Sequence, residues 1–499
     1  MTRVHHGLSR YDQLVKSHIA PQDARHLPLP ATFGRLLPAN SLHLENLTHP
    51  QLIEIYEGIA LGMGKKTDKS GEAAAGLTFF GQFVDHDITL DATSALGTRI
   101  VPATIPNVRT PSLDLDCVYG SGPEASPHLY GNSDASGYLL YGNATNEHDL
   151  ARTPNGTALI GDPRNDENGI VSQIQANFIA LHNILMTEVE HDADTRKEVF
   201  DCAHMGMNAN DWHDHVPSEA EIFEAVRRFL RMHYQFAVWT ELLPAFVQQS
   251  CLDHAMTFDD FGAGAAIMPV EFSGAAYRFG HATAQPDYAM AKDGGQISMS
   301  DILGFGLRDS SAEMRMFFDL GGTAAQKARP VGTTLGLPLT NLMFINHRVH
   351  LEEINHTLTL DQSRNLPLRN MLRDRYTYQL ANGEKIRDWF KTHHHRDLPE
   401  VERHADLKKN GIVKTPLWFY CLQEAEQHGH GKLTGVGGAI VASVFARLLR
   451  LDPTTYWHAS GFHPSTKFDD AGGLMAGMMA YAEAHRGNIA HAAALKAGG

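Results

Sequence analysis

The stretch LTFFGQFVDHDITLD, residues 77–91, places several polar residues inside an apolar run. If it is helical, about 100° per residue puts Gln82, Asp85 and His86 on one face, whereas Asp87 points about 100° further round. A neutral imidazole can remove a proton and return it elsewhere. The stretch therefore predicts a helix that serves two different sites. The alternative is a capped helix with a hydrogen-bonded core histidine.

Helical periodicity dominates the rest of the chain. Apolar residues recur every three to four positions in residues 217–246, behind a capping-box pattern formed by Ser218 and Glu221. The same period recurs in residues 168–189 and 437–453. Long stretches rich in Gly, Asn, Ser and Pro lie between the helices, without a repeat or a dividing linker. The sequence predicts a mainly α, large single-domain helical fold with long ordered loops.

The composition narrows the classes of partner. The chain has 499 residues, with 42 Lys and Arg against 57 Asp and Glu, and its formal charge is -15. No basic run could track a phosphate backbone, so we expect no nucleic-acid partner. The N-terminal segment lacks the apolar core of a signal peptide, and no apolar run is long enough for a membrane span. We expect a soluble protein that is cytoplasmic or exported without a signal peptide.

The segment RTPSLDLDCVYGSG, residues 109–122, carries oxygen-bearing side chains at every second position. In an extended loop these side chains face one side. Calcium takes six to eight oxygen ligands, so the segment predicts a calcium site, with a solvated acidic loop as the alternative. The candidate ligands are Asp87, Thr110, Ser112, Asp114 and Asp116.

A third segment, LIGDPRNDENGIVSQ, residues 159–173, presents Arg164, Glu167 and Asn168 on one predicted helical face. A guanidinium beside a proton-transferring histidine can stabilise negative charge that develops on an oxygen. This segment therefore predicts an electrostatic partner for the histidine, and a surface ion pair is the alternative.

Two further segments suit the binding of a flat cofactor. In MPVEFSGAAYRFGHATAQ, residues 268–285, Arg278 and His281 are three apart among small residues. This spacing predicts a haem shelf, where the histidine ligates iron and the arginine reaches a carboxylate at the ring edge; a core histidine is the alternative. The segment LPLRNMLRD, residues 366–374, places Asn370 and Arg373 at helical spacing.

Taken in this order, the motifs resemble those of the animal-type haem peroxidases in the peroxidase-cyclooxygenase superfamily, especially the bacterial members. The motifs are GQFVDHD, PSLDLDCVYGS, GDPRNDEN, YRFGH, LPLRNMLR and GGAIVASVFARLLRLDPTTY. They span residues 77–456, within one expected domain of residues 1–499 whose first 50 residues form an N-terminal arm. The resemblance implies the haem peroxidase fold, haem b as cofactor and calcium as structural ion.

The resemblance also implies roles for individual residues. His86 corresponds to the distal acid–base group, Gln82 to its hydrogen-bonding neighbour and Arg164 to the distal arginine. On the other side, His281 corresponds to the proximal iron ligand, and Asn370 to the amide that accepts its other ring N–H. The two arginines that resemble those near the haem propionates are Arg278 and Arg373.

Three positions concern covalent links to the haem. Asp85 and Glu167 match the carboxylates that form ester bonds to the haem in some members of the family. Both residues are ester candidates, because their presence does not establish that the bonds form. Asn168 stands where a methionine forms a sulfonium link in some members, so the resemblance excludes that third link.

The implied enzyme reduces hydrogen peroxide and oxidises a halide, thiocyanate or a small phenolic donor, a chemistry associated with oxidative stress. The first alternative is a fatty-acid dioxygenase or cyclooxygenase, whose radical tyrosine lies three residues before the proximal histidine. Arg278 occupies that position here, and we interpret the neighbouring Tyr277 as core packing. The second alternative is a non-catalytic adhesion protein on the same fold. The sequence leaves the donor and the oligomeric state open.

Overall fold

The computed structural model describes residues 33–39, 47–66, 69–90, 107, 111–132, 135–143, 145–205, 216–262, 267–492 and 494–495. These residues form a mainly helical structure, and the predicted fold class is confirmed. Most of the expected N-terminal arm, residues 1–50, lies outside them. None of the helices in the described ranges combines the length and apolar character needed to cross a bilayer.

The helices surround one continuous apolar core. In chain order they are α1 (His49–Met63), α2 (Ala75–Ile88), α3 (Asp116–Tyr119), α4 (Gly169–His191), α5 (Ala193–His204), α6 (Glu219–Ala237), α7 (Leu243–Phe246), α8 (Gln249–Thr257), α9 (Val270–Ser273), α10 (Gly280–Thr283), α11 (Met299–Ile302), α12 (Leu360–Arg364), α13 (Leu366–Leu372), α14 (Gly383–His394), α15 (Ala405–Lys409), α16 (Leu417–Gln427), α17 (Gly435–Leu451) and α18 (Leu474–His485).

Strands play a small part in the described residues. They form three two-stranded ladders, one parallel and two antiparallel. The parallel ladder pairs β1 (Gly64–Lys65) with β4 (Leu335–Gly336). The antiparallel ladders pair β2 (Asp287–Ala289) with β3 (Gln296–Ser298), and β5 (His350–Leu351) with β6 (His356–Thr357). Helix packing therefore determines where the functional side chains lie.

The polar stretch of residues 77–91 is helical, as predicted, up to Ile88 at the end of α2. Aromatic side chains hold this helix against α4 and α6. The ring of Phe83 stacks on Phe178 with centroids 5.0 Å apart, and both rings meet Tyr234 edge-on. Such pairs add roughly 0.5–1.5 kcal/mol each beyond area burial. The polar face of α2 is consequently held in one orientation.

The predicted capping box of α6 is confirmed, because Ser218 and Glu221 exchange hydrogen bonds at its N-terminus. The long helix predicted in residues 217–246 is present from Glu219 to Phe246, although it is not α-helical throughout. After α6 the backbone makes a π-helical turn, Val238–Leu242, before the short α7. The predicted helix in residues 437–453 is present as α17.

The interpretation of Asn168 as part of a helical face with Arg164 needs correction. Arg164 lies in a 3-10 turn, Pro163–Asp166, that precedes α4. Asn168 is the N-cap of α4, and its side chain accepts a hydrogen bond from the Ile170 N–H. An N-cap residue has a non-helical backbone, so Asn168 does not share a helical face with Arg164. Its fully buried side chain instead caps the first turn of α4.

Candidate active site

A cavity of about 420 Å³ lies between α2, α10 and α13. It brings together side chains from four of the motifs that the sequence singled out. The lining residues from those motifs are Gln82, Asp85, His86, Arg164, Glu167, Arg278, His281 and Arg373, while the apolar walls include Leu77, Met299, Leu303, Leu339, Leu342, Phe344, Ile345 and Leu366. Asn370 lies behind this lining, in contact with His281. One cavity therefore holds two histidines from distant parts of the chain.

His86 extends from the last turn of α2 and is almost completely buried. Its Nδ1 lies 2.7 Å from Oδ1 of Asn165, which is itself fully buried. Burial and the nearby Arg164 guanidinium lower the pKa of His86 to about 4. The imidazole is therefore neutral near pH 7 and can act as a base.

The guanidinium of Arg164 is held at several points. Its Nε and Nη2 donate to the two carboxylate oxygens of Asp162 at 3.1 and 2.7 Å. Nη2 also donates to the backbone carbonyls of His86 and Thr89. These contacts fix the arginine beside the histidine, where a positive charge can stabilise an oxygen anion.

His281 lies on α10, after a 3-10 turn, Ala276–Phe279. Burial lowers its pKa to about 3, and the nearby arginines act in the same direction. Its Nδ1 lies 3.0 Å from the side-chain nitrogen of Asn370 on α13. A histidine that binds a metal through Nε2 carries its proton on Nδ1. If the Asn370 side chain is turned about its Cβ–Cγ bond, Oδ1 takes the place of the nitrogen and accepts a hydrogen bond from that N–H.

The cationic side chains of the cavity fit an anionic flat cofactor. Arg278 and Arg373 both line the cavity, and a π-helical turn, Arg373–Tyr378, directs the chain away after α13. A further arginine that sequence reasoning missed, Arg369, lies with them. The Nε atoms of Arg278 and Arg369 are buried and have no hydrogen-bond partner in the described part of the chain. Carboxylates such as haem propionates would satisfy such donors.

The two carboxylates expected at the haem edge both line the cavity. Asp85 accepts a hydrogen bond from the Thr89 hydroxyl at 3.0 Å. Burial raises the pKa of Glu167, although Arg164 and Arg369 oppose that effect. Both side chains are thus positioned in the space that a bound haem would share.

The interpretation of Tyr277 as core packing is incomplete. Its ring stacks on Phe272 with centroids 4.8 Å apart, which is a core contact. Its hydroxyl also donates to the Gly81 carbonyl on α2, and the side chain lines the cavity next to Arg278. The prediction assumed regular α-helical spacing, whereas the 3-10 turn directs both neighbouring side chains towards the cavity.

A buried carboxylate cluster lies behind α2. Asp87, Asp114 and Asp116 each offer an oxygen within 4.8 Å of the others, and all three are buried. Burial and the neighbouring Asp114 raise the pKa of Asp87, as expected where like charges share a site without a cation. Hard oxygen ligands of this kind suit calcium.

The remaining predicted calcium ligands are less direct. Thr110 lies outside the described residues. The hydroxyl of Ser112 donates to Asp452 at 2.7 Å, which holds this side chain against Asp452. The predicted extended loop is wrong, because the chain bends after Ser112 and Leu115 adopts a left-handed conformation with φ of 60°. That turn leads directly into α3, which begins at Asp116.

Sequence reasoning missed three residues of the site: Asn165, Asp162 and Arg369. The signal for Asp162 and Asn165 was present, since both flank Arg164 within GDPRN. Their contacts with Arg164 and His86 depend on how the turn before α4 meets α2. Local spacing does not predict such a tertiary contact.

The chain is similar to known proteins of one superfamily. Residues 91–303 match the family model of the animal haem peroxidases. This range includes Arg164 and His281 but not His86 or Asn370. The comparison with curated proteins gives no match.

Solved structures with the same fold include a peroxidase and two dioxygenases. Peroxidase A from Dictyostelium discoideum is 15% identical, with a TM-score of 0.57 over 89% of this chain and 92% of that chain. Fatty acid alpha-dioxygenase from Oryza sativa is 13% identical, with a TM-score of 0.53 over 96% and 93% of the two chains. The Arabidopsis thaliana enzyme is 14% identical, with a TM-score of 0.53 over 87% and 74%. The resemblance drawn from the sequence is confirmed.

Proposed function

We propose that this chain is a haem-dependent peroxidase. It matches the family model of the animal haem peroxidases and has the fold of the peroxidase-cyclooxygenase superfamily. It would reduce hydrogen peroxide and oxidise a halide, thiocyanate or a small phenolic molecule. The observation that carries the proposal is the pair of neutral histidines, His86 and His281, which line one cavity from α2 and α10.

His86 and Arg164 would act on the peroxide. Bound haem supplies the redox-active iron at which the O–O bond of the peroxide is cleaved. His86 removes the proton from one peroxide oxygen and returns it to the other oxygen, which leaves as water. Arg164 stabilises the negative charge that develops as the bond breaks. Gln82, which lies one helical turn before His86, hydrogen-bonds the entering peroxide.

The opposite side of the cavity would hold the cofactor. His281 would ligate the haem iron, and Asn370 would orient its ring from behind. As a neutral amide, Asn370 leaves the imidazole less anionic than a carboxylate would. Arg278 and Arg373 would bind the propionates, and Asp85 and Glu167 are the candidates for ester links. The Nε atom of Arg278, which has no hydrogen-bond partner in the described residues, supports this placement.

Calcium would occupy the cluster of Asp87, Asp114 and Asp116. Asp87 is adjacent to His86 in α2, so an ion bound there fixes the helix end that carries the acid–base group. The support is the buried, closely spaced carboxylates, whose mutual repulsion a divalent cation would relieve.

Absorption spectroscopy and stopped-flow mixing with hydrogen peroxide test the proposal. The His281→Ala variant should lose or grossly alter the haem spectrum, because it lacks the axial ligand. The His86→Ala variant should keep its haem but react with peroxide roughly 10²–10⁴-fold more slowly, because it lacks the acid–base group. A normal spectrum in the first variant, or a wild-type rate in the second, would remove the residue from its role.

A second candidate function is oxygenation of a fatty acid. Two of the similar folds are fatty acid alpha-dioxygenases, and Tyr277 lines the cavity through a hydroxyl bound to the Gly81 carbonyl. Arg278 stands where the resemblance places the radical tyrosine of that branch, which disfavours this candidate. Oxygen uptake with linoleate, in the absence of added peroxide, distinguishes the two functions. Absence of haem from the purified protein would instead favour a non-catalytic role.

A further inference from the structure

A chain of three hydrogen bonds runs from His86 into the protein interior. Asn165 Oδ1 lies 2.7 Å from His86 Nδ1, and Asn165 Nδ2 donates to Gln175 Oε1 at 2.8 Å. Gln175 Nε2 then donates to the backbone carbonyl of Cys117 at 3.2 Å. Asn165 and Gln175 are both completely buried. We call these two amides and this carbonyl the amide relay.

The end of the relay determines its direction. A backbone carbonyl only accepts hydrogen bonds, so Gln175 must present its NH2 group to Cys117. Its Oε1 therefore faces Asn165, which must donate through Nδ2 and present Oδ1 to His86. An oxygen acceptor at that position requires a proton on His86 Nδ1. In a neutral ring the lone pair is then on Nε2.

We propose that Asn165 and Gln175 are positioning residues that hold neutral His86 in the tautomer with the proton on Nδ1. Nε2 is then unprotonated and available as the base. The other tautomer has its only lone pair on Nδ1, which points to Asn165 and away from the cavity. The relay therefore selects the form of His86 that can take a proton from peroxide, and this step rests on the peroxidase function proposed above.

The fold keeps the relay in place at both ends. Asn165 belongs to the 3-10 turn, Pro163–Asp166, whereas Gln175 is fixed within the second turn of α4. Gly161 allows the turn to approach α3, because an added Cβ there would lie 2.7 Å from the Cys117 carbonyl oxygen. A shift of any of these elements would leave buried amide groups without partners, which costs about 1–3 kcal/mol per group.

Stopped-flow kinetics with hydrogen peroxide provide the first test. Asn165→Leu preserves the size of the side chain but removes the acceptor, and it should slow the reaction roughly 10²-fold. Asn165→Asp keeps an oxygen opposite His86 but loses the donor to Gln175 Oε1, so it should slow the reaction less than Asn165→Leu does. Asn183→Leu is the matched control, because it removes a buried asparagine on α4 whose side chain is hydrogen-bonded to the backbone of Leu139 and lies outside the relay.

A wild-type rate in Asn165→Leu would overturn the proposal, as would an Asn165→Asp variant as slow as Asn165→Leu. Gln175→Met provides a second variant, which breaks the relay one step away from His86 and should also slow the reaction. Haem content is measured in each variant so that cofactor loss is not mistaken for loss of positioning.

Nitrogen NMR of histidine-labelled protein tests the tautomer without a turnover assay. The ferrous carbon monoxide form is diamagnetic, and the His86 signals are those absent from His86→Gln. Wild type should show a protonated Nδ1 and an unprotonated Nε2, whereas Asn165→Leu should show the other tautomer or a mixture. A protonated Nε2 in the neutral wild-type ring would overturn the relay. Failure of wild type to react with peroxide would instead overturn only the proposed function.

Discussion

Asp162 accepts hydrogen bonds from both Nε and Nη2 of Arg164, at 3.1 and 2.7 Å, and its carboxylate is completely buried. The same carboxylate accepts the backbone N–H of Arg164 at 2.9 Å. One aspartate thus fixes both the backbone turn and the guanidinium. Charged hydrogen bonds of this type contribute about 1.5–3 kcal/mol each.

Replacing Asp162 with asparagine should therefore slow the reaction with hydrogen peroxide by roughly 10–100-fold, because Arg164 loses its anionic partner. Stopped-flow mixing at several peroxide concentrations measures the second-order rate. Asp201→Asn serves as the control, since its pair with Lys197 is exposed. A rate for Asp162→Asn equal to that of the control would show that Arg164 needs no such partner.

The sequence predicted the helical architecture and most of the charged residues of the cavity, because their signals are local. Helical periodicity placed Gln82, Asp85 and His86 on one face of α2, and all three line the cavity. The contacts made by Asn165 and Arg369 depend on how separate helices pack, which no local spacing encodes. The turn at Leu115 also escaped prediction, because alternating polar residues suggested an extended chain.

Replacing Asn370 with aspartate should lower the reduction potential of the bound haem. A carboxylate behind His281 makes the imidazole more anionic and favours the ferric state. Spectroelectrochemical titration measures this shift. Asn370→Leu, which removes the hydrogen bond without adding charge, is the comparison variant. An unchanged or raised potential in Asn370→Asp would contradict contact between this residue and the axial ligand in the loaded protein.

Removing calcium should destabilise the folded protein. Without a cation, Asp87, Asp114 and Asp116 repel one another in a buried site. A ligand present at 100 times its dissociation constant stabilises the native state by about 3 kcal/mol. Thermal unfolding before and after chelation, followed by readdition of calcium or magnesium, measures the effect. Equal recovery with both ions, or no change on chelation, would argue against a calcium site.

The contribution of Glu424 to the stability of the protein should fall as the pH rises from about 4.5 to about 8. Its burial raises the pKa to about 8, against 4.5 for an ordinary glutamate. Below about pH 4.5 the Glu424 carboxyl is protonated in both the folded and the unfolded protein, so folding does not bury a charge there. Above that pH the unfolded state ionises first, and the stabilising contribution is lost as the pH passes through the folded pKa.

Glu424→Gln should flatten this part of the stability profile. The glutamate accepts hydrogen bonds from the N–H groups of Val436 and Gly437 in the first turn of α17, and glutamine preserves one acceptor oxygen. Any hydrogen bond lost in this variant lowers the free energy of unfolding by an amount that does not depend on pH. Chemical denaturation at several pH values measures both the slope of the unfolding free energy with pH and this constant difference. A slope identical to wild type would exclude Glu424 as its source.

After exposure to peroxide, haem should remain attached to the denatured protein if Asp85 and Glu167 form ester bonds. Intact-mass spectrometry under denaturing conditions detects the added haem mass. The double variant Asp85→Asn, Glu167→Gln should release its haem completely, and the two single variants assign each bond. Complete release from peroxide-treated wild type would show that the cofactor is held without covalent links.

The cavity is assembled from segments that are far apart in the chain, from α2, which carries His86, to the π-helical turn that begins at Arg373. During synthesis on the ribosome, the wall around His86 is therefore made long before the wall around His281 and Asn370. A nascent chain that ends before Arg373 has no complete pocket. Cofactor insertion must therefore follow translation of Arg373, as late docking of α10 and α13 closes the site.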